Sequence, residues 1–197
     1  MRSKNSGHPL LNIRKSSGQA EYVLGMYSLI FVMILALVTL QIMQYKADSD
    51  IAEDALAASA LAALDVDPYR YGTDHTLVIN DPDHAFELFK NALKGNMELG
   101  DDYRPLSGKS SYIAGRVTIE DFRIYLVNGD EVTEIKVLNA GTDVTYGKYG
   151  EMKTPGGQVV RSAGCYAAVS FDTEGFLGAG VRAYKQAYAE MVADPGK

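Results

Sequence analysis

The chain has little cysteine, no tryptophan and no excess of positive charge. Its 197 residues include one cysteine, Cys165. No disulfide can therefore form within the chain. In an exported domain we expect Cys165 to be a buried small apolar residue, with an intermolecular bridge as the alternative. The net charge is -6. Because no basic stripe is available to neutralise phosphates, the sequence argues against a nucleic-acid partner.

Residue patterns that carry catalysis or bind metals are also missing. The sequence has no Gly-x-Ser-x-Gly elbow and no glycine-rich phosphate loop ending in Lys-Ser/Thr. Of its three histidines, His8 precedes the apolar segment, while the spacing of His75 and His84 matches no metal-ligand motif. We interpret these two as a solvated turn residue and a helix-cap residue. We therefore expect no catalytic residue, no metal, no cofactor and no enzymatic activity.

The sequence does contain one long apolar segment. No charged residue occurs from Tyr22 to Tyr45, and a helix over this stretch would be about 36 Å long. This length crosses a hydrocarbon core of about 30 Å with some tilt. A secretory signal peptide has a shorter apolar stretch with a cleavage site directly behind it. We therefore predict an uncleaved transmembrane helix over residues 21–46.

Basic residues are concentrated before this segment. Residues 1–20 contain four of them and no acid, namely Arg2, Lys4, Arg14 and Lys15. Positive charge beside a membrane span favours the cytoplasmic side. The predicted organisation is a basic cytoplasmic leader over residues 1–20, a single membrane span over 21–46, and an extracytoplasmic domain over 47–197.

Glu21 stands at the threshold of the apolar segment. A carboxylate that enters a bilayer is costly unless it meets a partner, which makes Glu21 a candidate functional residue. The simpler interpretation is an interfacial charge that marks where the helix leaves the lipid. In that case Tyr22 and Tyr45 would form the aromatic belts at the two interfaces.

The layout of the chain resembles the TadE-like pseudopilins of tight-adherence (Tad) systems, within the type IV pilin superfamily. A basic leader, small residues, Glu21-Tyr22, a long apolar helix and a mostly β outer domain occur in that order. The resemblance implies a bacterial cell-membrane protein whose leader a prepilin-type peptidase removes after a small residue. It also implies that Glu21 acts in subunit assembly by pairing with a neighbour's free amino terminus.

The resemblance leaves two candidate processing sites. Cleavage between Ser16 and Ser17 would make Glu21 the fifth mature residue, as in that family. Cleavage after Gly18 would place a more pilin-like residue at the cut. The mature chain would then begin at Gln19, and Glu21 would be its third residue.

The helix is predicted to continue beyond the membrane. Residues 51–64 are rich in strong helix formers and contain neither Gly nor Pro. One helix is therefore expected from about Glu21 to Leu64, ending before Pro68. Its outer half is predicted to pack on the domain through one apolar face, formed by Ile51, Ala55, Ala58, Ala62 and Val66.

The outer domain is predicted to be α+β, with a mixed, mainly antiparallel sheet and one further helix. Asp81-Pro82 is a typical helix start, with Gly95 or Gly100 expected to end the helix. Helical spacing predicts a core-facing side, formed by Phe86, Phe89 or Leu88, Leu93 and Met97.

Strands are predicted on both sides of an Asn128-Gly129 hairpin turn. In the first strand, alternation places on one side Val117, Ile119, Asp121, Arg123 and Tyr125. In the return strand, one side is formed by Val132, Glu134, Lys136 and Leu138. Further strands are expected at residues 76–79, 158–161 and 166–171. Residues 181–192 suit either a helix or an edge strand, and the resemblance favours a strand.

We consider three functional hypotheses. The first is a minor pilin or pseudopilin-like structural subunit of a bacterial Tad/type IVb pilus or related assembly. Its partners would be the membrane, other subunits, an assembly platform and a prepilin-type peptidase. The alternative is a single-span extracytoplasmic binding or sensing module, with an uncut N-terminus and no dependence on Glu21. The third is a membrane-anchored hydrolase, which would need a pocket of converging polar groups.

Overall fold

The computed structural model describes residues 17–64, 79, 81–106, 112–138, 141–174 and 180–191. These residues form two α-helices and one five-stranded sheet with strand order β3-β2-β1-β4-β5, antiparallel throughout. The predicted α+β class is confirmed. The elements are α1 (Ser17–Ala62), α2 (Pro82–Asn96), β1 (Thr118–Asn128), β2 (Glu131–Leu138), β3 (Gly141–Lys148), β4 (Gly164–Glu174) and β5 (Gly180–Glu190).

The chain divides into two compact units, with the boundary in the sequence between Lys46 and Ala47. Helix α1 contributes residues to both units. In the first unit its large apolar side chains are exposed, for example Leu24 and Phe31. The hydroxyl of Thr39 donates to the carbonyl oxygen of Leu35 at 2.8 Å. This polar side chain is therefore satisfied within the helix.

In the second unit, a different face of α1 is buried from the one predicted. Ile51, Ala58 and Ala62 are exposed, and Val66 lies outside the described residues. Among the four described members of the predicted set, only Ala55 is buried. The buried stripe recurs at the helical period and is formed by Ala52, Ala55, Leu56, Ser59, Ala60 and Ala63. The prediction was wrong because alanine occurs on both faces of the helix and does not distinguish them. The predicted face was therefore chosen from the position of Ile51, which is exposed in the structure.

One face of the sheet, which we call the helix face, forms the main core with the outer part of α1 and with α2. Phe89 and Phe122 have ring centroids 4.8 Å apart, and Phe86 and Phe122 are 5.0 Å apart. Such tilted aromatic pairs add to the free energy gained by burial. The core side of α2 was predicted correctly: Phe86, Phe89, Leu93 and Met97 are buried.

The opposite face, which we call the loop face, has a smaller core. It is covered by the connection between β3 and β4. The buried residues of this second core are Tyr125, Val132, Val160, Tyr166 and Ala168. Tyr125 and Tyr188 pack edge to face, with ring centroids 5.9 Å apart.

The hairpin between β1 and β2 is present as predicted, but its turn lies one residue later than the predicted Asn128-Gly129 pair. Asn128 pairs with Glu131, so the turn residues are Gly129 and Asp130. Gly129 has φ 61°. A positive φ at the first turn position is the pattern of a type II′ turn and suits glycine.

Alternation along β1 is broken by a register shift between Ile119 and Asp121. The predicted pattern placed these two side chains on the same face. In the structure Ile119 packs against the main core. A bulge lets one strand switch faces without ending.

Three further predictions concern element boundaries. Asp81 caps α2 as expected, but the helix ends at Asn96, and neither Gly95 nor Gly100 forms its cap. Residues 158–161 form only an isolated bridge between Lys153 and Val159 rather than a strand.

The ambiguous C-terminal segment is a strand, β5. The strand expected at residues 76–79 lies outside the described residues except for Ile79, which is buried.

The packing face of α1 can be tested with a matched pair of substitutions. Ala60 is fully buried, whereas Ala58 is exposed. We expect Ala60→Leu to overfill the contact and to lower the free energy of unfolding by about 1–3 kcal/mol. Ala58→Leu should change it by less than about 0.5 kcal/mol. Urea unfolding of the full chain in detergent, followed by circular dichroism, measures both. A larger effect of Ala58→Leu would show that the buried face is assigned wrongly.

Candidate functional site

The sequence-predicted processing and assembly residues lie at the start of α1. Ser17 is the first residue of the helix, and Gly18, Gln19 and Glu21 follow within its first two turns, all exposed. Ser16 lies outside the described residues. The backbone N–H groups of a first helical turn have no partner within the helix. Glu21 is therefore an exposed carboxylate near the positive end of the helix dipole.

The surroundings of Glu21 are apolar and open. Tyr22 is 78% exposed, and within the described residues Glu21 forms no ion pair or hydrogen bond. The exposed large side chains continue from here to Met43. By length and composition α1 is able to cross a membrane. A carboxylate at the edge of such a segment is available to a partner from another molecule.

A polar cluster, which we call the charge network, lies on the loop face and is formed by Asp121, Arg123, Tyr125, Glu134 and Lys136. Arg123 donates through Nε to Asp121 Oδ2 at 2.8 Å and through a terminal nitrogen to Glu134 Oε1 at 3.1 Å. The Tyr125 hydroxyl donates to Glu134 Oε2 at 2.8 Å. Lys136 Nζ is 3.9 Å from Asp121 Oδ1, which is buried and accepts no hydrogen bond from any residue that the structure describes. The network joins neighbouring strands β1 and β2.

Two donors of the charge network, Tyr125 and Arg123, have raised pKa values and therefore keep their protons. Burial raises the pKa of the Tyr125 phenol above its ordinary value, and the hydrogen bond to Glu134 raises it further. Burial alone would lower the pKa of Arg123. Its hydrogen bond to Asp121 and the charges of Asp121 and Glu134 more than offset this, so the pKa is raised. Opposite charges are paired here, which is the arrangement of a structural network.

Sequence reasoning missed the charge network, although a signal for it was present. Alternation placed Asp121, Arg123 and Tyr125 on one side of β1, and Glu134 with Lys136 on one side of β2. The hairpin register then sets Arg123 opposite Lys136 and Tyr125 opposite Glu134. Combining the two patterns would have brought all five side chains to one face.

The remaining candidates from the sequence are the two histidines after the apolar segment and the cysteine. His84 stands in the first turn of α2, and its backbone N–H donates to Asp81 Oδ1 at 3.0 Å. His75 lies outside the described residues. Cys165 is buried as predicted, and burial raises the pKa of its thiol, so a reactive thiolate is disfavoured. Within the part of the chain that the structure describes, no three His, Cys, Asp or Glu residues are grouped as a metal site.

Three comparisons complete the description of the chain. No protein-family model, no curated protein and no solved structure matches it. The function is therefore inferred from the chain's own residues and geometry.

The raised pKa of Tyr125 leads to a prediction about stability at high pH. Because the folded protein holds this proton more tightly than the unfolded chain, the contribution is complete below about pH 10 and is lost above it. We expect the urea midpoint to be lower at about pH 11 than at about pH 9, and Tyr125→Phe to reduce this difference. Tyr146→Phe, at an exposed position, is the matched control. If raising the pH lowers the urea midpoint equally in Tyr125→Phe and in the unmodified chain, the prediction is contradicted.

Proposed function

We propose that this protein is a membrane-anchored, pilin-like structural subunit. In this proposal it serves as a minor pilin or pseudopilin of a bacterial Tad/type IVb pilus or a related assembly. The N-terminus lies in the cytoplasm and the domain from residue 47 onward lies outside the membrane. The basic leader supports this orientation, since positive charge favours the cytoplasmic side.

The observation that carries the proposal is that the two parts of α1 have different surroundings. The helix runs from Ser17 to Ala62. Its first part exposes apolar side chains, whereas Ala52, Leu56, Ala60 and Ala63 are fully buried in the core of the domain. A simple membrane anchor needs only the first of these features. A helix that serves both as membrane span and as core element is expected of a pilin-like subunit.

The exposed part of α1 offers a surface for neighbouring helices. At Gly25, apart from its chain neighbours and the adjoining helix backbone, no described atom lies within 4 Å of the position that a Cβ would occupy. A second helix could approach the backbone closely at that point. Lipid and a neighbouring subunit can both cover the apolar side chains, so the same segment serves before and after assembly.

Glu21 supplies the polar contact in this surface. Its carboxylate is costly in lipid unless it is paired. Removal of the leader would create a free amino terminus close to Glu21 in sequence. In the proposal, the amino terminus of one subunit pairs with Glu21 of the next and fixes the axial position of the two helices.

The proposal assigns no catalytic step to the domain. The charge network of Asp121, Arg123, Glu134 and Lys136 is paired internally and joins two strands. The domain acts through its surfaces.

The mature N-terminal residue tests the proposal. We expect mass spectrometry of membrane-purified protein to find a chain that starts at Ser17 or Gln19. This species should disappear in cells that lack their prepilin-type peptidase. An intact leader in both strains would contradict the proposal and would favour an anchored binding or sensing module.

Glu21 is tested in the same cells. We expect Glu21→Ala to reduce the protein recovered in the sheared surface fraction roughly tenfold or more, because the paired charge is lost. Asp50→Ala removes another exposed acid of α1 and is the matched control. The same reduction in both variants, or in neither, would argue against an assembly role for Glu21.

A further inference from the structure

The outer strands β3 and β5 each have one neighbour among the described strands. Hydrogen bonds determine which backbone groups of β5 point away from β4. The N–H of Met191 donates to the carbonyl of Ala163 at 2.8 Å, in line with the register that pairs Gly164 with Glu190. Antiparallel pairs alternate between bonded and non-bonded. The backbone groups of Tyr184, Gln186 and Tyr188 therefore point outward.

The outer edge of β5 lies in a groove of about 470 Å³. One wall is formed by Glu53, Asp54 and Ala57 of α1, and the other by Gly156 and Gln158 of the loop between β3 and β4. All of these residues belong to the unit Ala47–Lys197. The edge is thus recessed between two walls, which suits the addition of an extended strand.

Some charged residues of the groove have partners within the chain, whereas another has no ion-pair partner among the described residues. Lys185 Nζ donates to Ser49 Oγ and lies 3.5 Å from Glu53 Oε2. Asp54 is exposed and forms no ion pair within the described residues. The α1 wall therefore offers one carboxylate to an incoming basic side chain.

Strand β3 has the properties of a donor strand. Its residues are exposed along nearly the whole strand, including Val144 and Tyr146. The N–H of Tyr149 donates to the carbonyl of Asp130 at 2.9 Å, so the same alternation directs the backbone groups of the even-numbered residues of β3 outward. Exposed edges of this kind are templates for pairing with another chain.

We propose that β3 of a second copy of this chain adds in parallel to β5 in the groove. Strands β3 and β5 run in the same direction, because both are two strands away from β1 in an antiparallel sheet. Parallel addition therefore keeps the helix face of one copy beside the helix face of the next. Antiparallel addition of β3 would turn one of the two sheets over.

One register satisfies both charges of β3. If Asp143 of one copy lies beside Arg182 of the other, Val144 lies beside Ala183 and Lys148 beside Ala187. Asp143 and Arg182 then share the loop face. Arg182 donates to Ser170 Oγ at 2.8 Å and lies 3.5 Å from Glu120 Oε1, so Asp143 would be a second carboxylate beside it. Lys148 is on the helix face, where Ala187 and Asp54 line the same groove. Opposite charges therefore meet at both ends of the strand.

The contact joins two different edges, so a pair of copies keeps one free β3, on the copy that contributes β5, and one free β5, on the copy that contributes β3. Such heterologous contacts build open rows of subunits when the rotation between copies does not close. This inference goes beyond the proposed function, because it depends neither on leader removal nor on Glu21.

Disulfide cross-linking of the full chain in its native membrane tests the contact. Two differently tagged chains, one with Val144→Cys and one with Ala183→Cys, are co-expressed and oxidised. We expect a mixed dimer, because paired strands bring these positions within disulfide distance. A chain that carries both substitutions should give a ladder of oligomers. The unmodified chain, whose Cys165 is buried, should give neither.

Two controls make the test more specific: a cysteine pair on opposite faces of the sheet, and an exchange of the charges at Lys148 and Asp54. Thr145→Cys with Ala183→Cys should cross-link poorly, because these side chains lie on opposite faces. Lys148→Glu should lower the mixed-dimer yield about threefold to fivefold, the range for a partly exposed ion pair. Combining Lys148→Glu with Asp54→Lys should restore the yield.

Two outcomes would overturn the inference. One is the absence of mixed dimers in membranes where the chain is present at its normal level. The other is cross-linking of Ala183→Cys or Val144→Cys only with itself, which would indicate two-fold pairing of identical edges. The Glu21→Ala background separates this inference from the proposed function, since the strand contact should persist there while assembly through α1 fails.

Discussion

The contact between the outer part of α1 and the helix face of the sheet organises the molecule. Small side chains make this contact possible: Ala52, Ala60 and Ala63 are fully buried, with Leu56 between them. They belong to the same buried core as residues of the helix face, and burial of this apolar surface stabilises the contact. Because the same helix begins at Ser17, one element supplies both a core wall of the domain and a long apolar surface.

The two faces of the sheet are stabilised in different ways. The helix face is closed by the aromatic cluster around Phe122. The loop face holds the charge network, in which Arg123 contacts both Asp121 and Glu134. A half-buried charge is tolerated only when it is paired and hydrogen-bonded. This requirement fixes the register of β1 and β2 on the side that has few apolar residues to specify it.

Local signals predicted the elements well, whereas contacts between distant segments escaped them. The Asp81 cap and the hairpin between β1 and β2 depend on neighbouring residues and were predicted correctly, although the turn is Gly129-Asp130 rather than Asn128-Gly129. The buried face of α1 was predicted wrongly, because alanines occur around the helix and only the sheet decides which of them is covered. The bulge at Ile119 was missed for a similar reason, since an unbroken alternation carries no sign of the register shift.

The candidate sites were predictable to different degrees. Glu21 stands out in the sequence as the single acid beside a long uncharged segment. The groove along β5 does not, because it brings together Asp54, Gln158 and Tyr184 from three distant parts of the chain. Its walls exist only after the sheet order β3-β2-β1-β4-β5 has formed.

The most direct test of the central claim is zero-length carbodiimide cross-linking of the assembled protein, followed by mass spectrometry of the joined peptides. We expect an amide between the mature amino terminus of one copy and the Glu21 carboxylate of another, because the proposed assembly brings these two groups together. Recovery of Glu21 in unlinked peptides only, together with an intact leader, would contradict a pilin-like role for α1.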